Sequence, residues 1–121
     1  MSRIMVVDDE RDLREMVSFM MEKEGFETEM AEDGSDFLDK LDRFQPDLVT
    51  LDVMMPGLTV DEILKRVKDR KSNPKIILLT VVRFSEIEKQ RIYKMGNIVD
   101  YIMKPFDIDE LMNRINRHLE Q

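Results

Sequence analysis

Five polar side chains lie where apolar runs of this sequence end, and together they could carry out group-transfer chemistry. Asp8 and Asp9 follow one apolar run, Asp52 ends a second, Thr80 ends a third, and Lys104 follows a fourth. The chain contains no cysteine, so a thiolate nucleophile and a thiolate metal site are both excluded. The chemistry of these positions must rest on carboxylates, a hydroxyl and an amine.

Three carboxylates held close together repel one another, and each raises the pKa of its neighbours unless a cation neutralises them. Oxygen ligands without histidine or cysteine suit Mg²⁺, which keeps several waters and commonly bridges carboxylates to a phosphate. A lysine and a hydroxyl beside such a cluster resemble a site that accepts a phosphoryl group, with one carboxylate as the nucleophile. The residue types therefore indicate Mg²⁺-dependent phosphoryl chemistry if the fold brings them together.

The apolar runs that precede these side chains have the length and composition of β-strands. Their apolar residues are nearly continuous in the first three runs, which is typical of strands covered on both faces. A further segment, residues 26–30, lies between the runs that end at Asp8 and Asp52 and alternates apolar residues with Glu27 and Glu29, which is typical of an edge strand, so it is counted as the second of five strands. The predicted strands cover residues 3–7, 26–30, 46–52, 75–80 and 98–103.

Apolar residues at helical spacing fill the segments between and after these strands. The first helix is expected to end near Gly25. A weaker fourth helix is indicated by Ile87, Arg91 and Met95 and is expected to end at Gly96. Asp107 and Glu110 form a plausible capping pair for the last helix. His118 is expected near the end of that helix, close to its C-terminal carbonyls.

Five strands alternating with five helices imply parallel β-α units with right-handed crossovers, hence a doubly wound α/β fold of three layers. With the second strand at an edge, the predicted strand order is 2-1-3-4-5. The order of such a sheet reverses between strands one and three, and ligands bind there, outside the carboxyl ends of the strands. This placement brings Asp8, Asp9 and Asp52 to one crevice, with Thr80 and Lys104 on the same rim.

The composition favours one acidic domain. The chain has 121 residues, with 19 basic and 26 acidic side chains and a net charge of −7, which argues against nonspecific nucleic-acid binding. No apolar run approaches the ~20 residues that span a bilayer, and the N-terminus lacks a signal-peptide pattern. We therefore expect a single domain, 1–121, in the cytoplasm, without direct contact to nucleic acid or membrane.

Taken together, these residues and their order resemble the receiver domain of two-component response regulators, over residues 4–119. The resemblance implies a flavodoxin-like fold and a phosphoryl group accepted from a sensor histidine kinase or a phosphotransfer protein. It also implies that the domain is a phosphoacceptor switch rather than an enzyme with a separate substrate, and that it catalyses its own phosphorylation and slow dephosphorylation. Mg²⁺ is the implied cofactor.

The same resemblance assigns roles position by position. It implies that Asp52 is the phosphoacceptor and that Lys104 pairs with the phosphoryl oxygens. The implied metal ligands are Asp9, Asp52 and the backbone carbonyl of Met54, with Asp8 acting through water. Thr80 is implied as the switch hydroxyl, Tyr101 as the switch aromatic, and Pro105 as the residue after a cis peptide bond.

Partners also follow from the resemblance. The fourth helix, fifth strand and fifth helix would form a protein-binding surface for a downstream target, in a monomer or a phosphorylation-dependent dimer. The chain ends at Gln121 soon after the fifth helix, so we expect no output domain unless the sequence is a fragment of a longer regulator. The kinase is expected near the first helix, where Arg11, Arg14 and Met21 are candidate contacts.

Other interpretations compete with this one. Asp8 and Asp9 could simply cap the following helix. A phosphatase of the haloacid-dehalogenase type needs a second acid two residues after its nucleophile, where this chain has Met54. A nucleotide-binding flavodoxin relative would need a glycine-rich loop after the first strand. A docking module of the same fold that works without phosphorylation is the alternative that remains closest.

Two departures from the family pattern, and the residues at two of its positions, lead to further expectations. Val81 replaces a usually small residue and could narrow access to Asp52, which would slow exchange with small phosphodonors. One extra residue lies between Gly96 and Tyr101, and we expect it in the loop before the fifth strand. The resemblance places Met54 and Val82 at positions that tune the phosphoryl lifetime in similar domains. Both are apolar and orient an attacking water poorly, so we predict a long-lived phosphoryl state.

Overall fold

The computed structural model describes residues 2–120, which form five β-strands and five α-helices in strict alternation. In chain order the elements are β1 (Arg3–Val7), α1 (Arg11–Lys23), β2 (Glu27–Ala31), α2 (Gly34–Phe44), β3 (Leu48–Asp52), α3 (Val60–Lys68), β4 (Lys75–Thr80), α4 (Glu86–Lys94), β5 (Ile98–Met103) and α5 (Ile108–Leu119).

The strands form one parallel sheet in the order β2-β1-β3-β4-β5, which confirms the predicted fold class and topology. Every residue of β3 is buried, whereas β2 lies at the edge and exposes Glu27. Val7 of β1 pairs with Leu51 of β3, so the residues that follow Val7 lie beside Asp52. The sheet thus brings the two acidic segments to the same edge.

Two apolar cores, one on each face of the sheet, make the domain a three-layer sandwich. Residues of α2, α3 and α4 pack on one face, with Phe37 and Leu64 fully buried. Residues of α1 and α5 pack on the other face, with Met21 and Leu111 fully buried. Because strand side chains alternate between faces, neighbouring residues of β4 contribute to opposite cores.

The extra residue before Tyr101 lies inside β5, and its predicted place in the preceding loop was wrong. Ile98 pairs with Ile76 and Asp100 pairs with Ile77, so Val99 has no paired residue on β4 and forms a β-bulge. The strand can absorb one unpaired residue this way while its ladder continues on both sides. Val99 packs partly buried against the core beside α1 and α5.

Helix α4 is weakly embedded, in agreement with its weak sequence pattern, and Met95 just past its end packs against the core. Ile87 is 80% exposed, and Ile92 is the buried residue of this helix. The helix begins with a capping box between Ser85 and Glu88, which satisfies backbone N–H groups locally without burying apolar surface. Its attachment to the sheet therefore depends on few apolar contacts.

Helix α5 is capped differently from the prediction. Asp107 accepts a hydrogen bond from the backbone N–H of Asp109, and Glu110 pairs with Arg114 at 3.4 Å instead of closing a capping box. Within residues 2–120, none of the helices is long and apolar enough to cross a membrane.

Candidate functional site

Three carboxylates meet at the carboxyl edge of the sheet. Oxygen atoms of Asp8, Asp9 and Asp52 all lie within 4.8 Å of one another. Asp8 and Asp52 are 2% and 4% exposed, whereas Asp9 is open to solvent. The cluster thus has a buried base and one open side, as the predicted crevice requires.

Lys104 is the cation nearest to this cluster among the contacts of the described residues. Its Nζ lies 3.0 Å from Asp8 Oδ2 and 3.4 Å from Asp52 Oδ1. The Lys104–Pro105 peptide bond is cis, and the Lys104 backbone N–H donates to the Thr80 carbonyl at 2.8 Å. The loop after β5 is thereby tied to the end of β4, which holds the amine over the carboxylates.

Burial, followed by the negative charge of Asp8, raises the pKa of Asp52 above its ordinary value. Lys104 and the Met54 backbone N–H, which donates to Asp52 Oδ1 at 3.2 Å, oppose this shift but do not cancel it. The charged form of Asp52 is therefore under-compensated by the protein alone. An additional cation beside Asp52 would remove that imbalance.

The donor set fits a hard divalent cation. It consists of carboxylate oxygens, one of them on an exposed residue, and contains no sulfur or imidazole donor. Mg²⁺ prefers such oxygen donors and keeps open positions for water or a phosphate. The carboxylates of Asp8, Asp9 and Asp52 thus fit a divalent cation such as Mg²⁺.

Thr80 and Tyr101 lie on the α4 side of this edge. Thr80 is fully buried, and its Oγ1 accepts from the Val82 backbone N–H at 2.8 Å. Tyr101 is half-buried, with its ring centroid 5.7 Å from that of Phe84 and 5.0 Å from Lys89 Nζ. Neither side chain contacts Asp52 in the described residues, so both would have to move to respond to it.

The side chains around these positions are partly open. Val81 is 61% exposed and Met54 is 58% exposed, whereas Val82 is half-buried. Met21, a predicted kinase contact, is fully buried in the core beneath α1, and that prediction was wrong. Its position on the helix faces the sheet rather than solvent.

Two groups of contacts escaped the sequence analysis. Arg14 Nη1 donates to the Asp8 backbone carbonyl at 2.8 Å, so this side chain is turned toward the acidic cluster. Asp100 accepts from Arg114 Nη1 at 2.8 Å and lies 3.0 Å from His118 Nε2, so the expected contact of His118 with helix-end carbonyls was wrong. The spacing of Arg114 and His118, four residues apart on one helix face, was the available signal.

A polar cavity of about 530 Å³ lies near the amino ends of β3 and β4. Its lining includes Asp47 and Lys75, which are engaged in holding the fold: Asp47 Oδ2 accepts from the Arg3 N–H, and Lys75 Nζ donates to the His118 carbonyl. This cavity lies at the opposite edge of the sheet from the carboxylate cluster, and among its described lining residues Asp47 alone carries a carboxylate.

Comparison with known proteins agrees with this site. Residues 4–116 match the family described as the response regulator receiver domain. The sensory transduction protein RegX3 of Mycobacterium tuberculosis is 35% identical over the whole of this chain. That match covers 52% of RegX3, so the chain spans about half the length of this curated relative.

Solved structures give the same result. The chemotaxis protein CheY4 of Vibrio cholerae is 31% identical, with a TM-score of 0.84 over 97% of this chain and 98% of that one. The receiver domain of the Francisella response regulator 1452 is also 31% identical, with a TM-score of 0.83 over 96% of this chain and 94% of that one. The strand order, the carboxylate cluster and these matches together show that the chain belongs to the response regulator receiver domains of two-component systems.

Proposed function

We propose that this receiver domain accepts a phosphoryl group on Asp52 from a phosphohistidine of a sensor histidine kinase or phosphotransfer protein. The observation that carries the proposal is the position of Asp52: it is nearly buried, under-compensated in charge, and 3.4 Å from Lys104. An Asp52 carboxylate oxygen attacks phosphorus, and the P–N bond to imidazole breaks. The imidazole nitrogen keeps the electron pair and takes up a proton from solvent.

Mg²⁺ would be held by Asp9, Asp52 and the Met54 carbonyl, with Asp8 acting through water. When bound, it would neutralise charge on the oxygens of the transferring group. Lys104 would pair with the phosphoryl oxygens. Its ammonium already lies between Asp8 and Asp52, so a small displacement suffices.

The switch would work through Thr80 and Tyr101. A new dianion on Asp52 attracts the Thr80 hydroxyl, which must give up its hydrogen bond with the Val82 N–H. Tyr101 then turns from its contact with Phe84 toward the space that Thr80 leaves. Because α4 is weakly embedded, this change shifts the populations of two conformations of the surface formed by α4, β5 and α5.

The domain would serve as one module, residues 1–121, of a cytoplasmic signalling pathway, and its downstream partner would be a protein. It would act as a phosphoacceptor that catalyses its own phosphorylation and slow dephosphorylation, as a monomer or a phosphorylation-dependent dimer. These features are supported by family membership and by the net charge of −7, and on the surface of α4, β5 and α5 the cations of Lys89 and Arg114 pair with acids.

The test is intact mass after incubation with acetyl phosphate and Mg²⁺. We expect one phosphoryl adduct in the wild type, none in Asp52→Asn, and none when Mg²⁺ is chelated. Asp69→Asn is the matched control, since Asp69 is exposed at the far end of α3 and should leave the adduct unchanged.

The competing docking module makes the opposite prediction. If the wild type forms no adduct and binds neither Mg²⁺ nor beryllofluoride, phosphorylation at Asp52 is not its function. If it binds Mg²⁺ and beryllofluoride but forms no adduct with acetyl phosphate, a purified phosphohistidine donor replaces the small molecule, and transfer from that donor decides the question.

A further inference from the structure

Every polar atom of Asp8 is engaged by the protein. Its backbone N–H donates to the Ala31 carbonyl at 3.1 Å, and its own carbonyl accepts from Arg14 Nη1 at 2.8 Å. In its side chain, Oδ1 accepts from the Glu10 N–H at 2.9 Å and Oδ2 accepts from Lys104 Nζ at 3.0 Å. The residue is thus fixed by β2, by α1 and by the loop after β5.

Arg14 differs in this respect from the other arginine on the same helix. It lies one turn into α1, is half-buried, and reaches back past the start of the helix to the end of β1. Arg11 is exposed and pairs with Glu15 at 3.1 Å, with no contact to the carboxylate cluster. One arginine of α1 therefore faces the acidic turn and the other faces solvent.

The carbonyl that Arg14 holds belongs to the peptide group that joins Asp8 to Asp9. A peptide group is planar, so fixing its oxygen fixes the plane from which the Cα of Asp9 departs. Asp9 is exposed and lies beyond the last residue of β1 that pairs with β3. The Asp8–Asp9 peptide is therefore the nearest fixed group that can orient the Asp9 side chain. Groups behind metal ligands that orient them in this way are worth about 10- to 100-fold in metal affinity.

We propose that Arg14 is a positioning residue of the Mg²⁺ site, which aligns the Asp8–Asp9 turn by holding the Asp8 carbonyl. This inference rests on the proposed function, since it concerns the cation that the three carboxylates would bind. It assigns Arg14 to the acidic turn rather than to the kinase-facing surface of α1.

The sign of the effect separates this role from a purely electrostatic one. Arg14 is a cation near a site for a cation, so its charge alone weakens Mg²⁺ binding, and removing the charge should tighten binding. If Arg14 positions the turn, its removal instead weakens binding. The two explanations thus predict opposite changes in the same measured constant.

The experiment is isothermal titration calorimetry of Mg²⁺ binding at fixed ionic strength, without any phosphodonor. Arg14→Met and Arg14→Gln both remove the charge and the long donor while keeping a residue that favours helix. Arg11→Met is the matched control, with the same charge change on the same helix. Thermal unfolding of each variant establishes which of them are folded, and either folded Arg14 variant is sufficient.

We expect the dissociation constant for Mg²⁺ to rise about 10-fold or more in the Arg14 variants and to stay within twofold of wild type, or to fall, in Arg11→Met. Unchanged or tighter binding in a folded Arg14 variant would overturn the inference, as would equal weakening in Arg11→Met. If the wild type itself does not bind Mg²⁺, the proposed function fails, and the inference fails with it.

Discussion

Lys104 and Asp8 form an ion pair in the base of the carboxylate cluster, with Nζ 3.0 Å from Oδ2 and side chains 15% and 3% exposed. The same ammonium lies 3.4 Å from Asp52. It therefore supplies part of the positive charge that a divalent cation would otherwise provide. The Lys104 amine and a bound metal would share the same carboxylates, so each would weaken the binding of the other to them.

The first prediction concerns this competition. Lys104→Met should bind Mg²⁺ more tightly, on the order of 10-fold, because a nearby like charge is removed. Titration calorimetry measures the change, and Lys71→Met, an exposed lysine in the loop before β4, is the charge control. Weaker binding in Lys104→Met would mean that the amine organises the carboxylates more than it repels the metal.

The second prediction concerns the stability cost of Asp52. Burial and Asp8 raise its pKa in the folded state, so the stability contributed by its neutral form is present below the unfolded pKa and is lost as pH rises through the folded pKa. Without metal at pH 7, Asp52→Asn should therefore gain stability on the order of 1 kcal/mol. For a domain of this size that is about 4 °C in melting temperature.

Two conditions check the cause of that gain. The difference between wild type and Asp52→Asn should vanish near pH 3.5, below the unfolded pKa of about 3.9. The stability difference should also shrink or reverse in saturating Mg²⁺. The wild type keeps all three carboxylates and so should bind the metal more tightly, which stabilises its folded state more than that of Asp52→Asn. A gain that persists unchanged at low pH would rule out the charge of Asp52 as its source.

The third prediction concerns Asp100. Burial alone would raise its pKa, but hydrogen bonds from His118, Arg114 and the Tyr101 N–H outweigh this effect and hold the pKa below its ordinary value. A lowered pKa contributes stability above the unfolded pKa, and this stability is lost as pH falls through the folded pKa. Asp100→Asn should therefore cost roughly 1.5–3 kcal/mol at pH 7, the range for hydrogen bonds to a charged group.

Urea unfolding followed by circular dichroism measures this loss at pH 7 and again at pH 3, where the difference between wild type and variant should be smaller. Asp42→Asn is the matched control, because Asp42 pairs with Arg70 at 3.3 Å on the surface, with 47% of its side chain exposed. Exposed pairs contribute about 0–1 kcal/mol. An equal cost for both variants would show that the buried cluster adds no special stability.

The fourth prediction concerns Thr50 in β3. Its Oγ1 is fully buried and has no hydrogen-bond partner among the described residues. Thr50→Val replaces the hydroxyl by a methyl group of similar size, so it should be neutral or stabilising, by up to about 1–2 kcal/mol. Thr28→Val is the comparison, because Thr28 Oγ1 donates to Glu22 at 3.0 Å and should lose stability. A clear loss of stability in Thr50→Val would contradict the conclusion that the Thr50 hydroxyl has no hydrogen-bond partner.

The fifth prediction concerns the lifetime of the phosphoryl group on Asp52. Met54 is apolar and 58% exposed, so its side chain orients an attacking water poorly. In Met54→Asn one added hydrogen bond worth about 1 kcal/mol would speed hydrolysis roughly fivefold. Loss of the phosphoryl adduct, followed by intact mass, gives the rate, with Ile87→Asn as an exposed control on α4. Equal rates in the wild type and Met54→Asn would contradict this role.

The sheet and its acidic edge were predictable because they follow from local patterns. Continuous apolar runs predicted the buried strands, and the alternation of Glu27 and Glu29 placed β2 at the edge, which fixed the strand order. Once that order is fixed, Asp8, Asp9 and Asp52 must meet, since the carboxyl ends of parallel strands share one edge.

The features that sequence reasoning missed depend on contacts between distant elements. The sequence around Arg14 gives no sign that its side chain will turn toward a carbonyl six residues earlier in the chain. His118 was expected to contact the C-terminal carbonyls of its own helix, yet its ring contacts Asp100 on β5. The pattern of α4 was weak because Ile92 is the buried residue of the helix and Met95, just past its end, is only partly buried.

The bulge at Val99 has a consequence for aligning this protein with others. From Asp100 onward, β5 keeps an unbroken ladder with β4, so Lys104 and Tyr101 occupy the positions they would have in a strand without the bulge. Val99 is the inserted residue, so the residues before it are offset by one sequence position from those of a strand without a bulge. An alignment gap set within β5, rather than in the preceding loop, will therefore superimpose both Ile98 and Tyr101 on their structural equivalents.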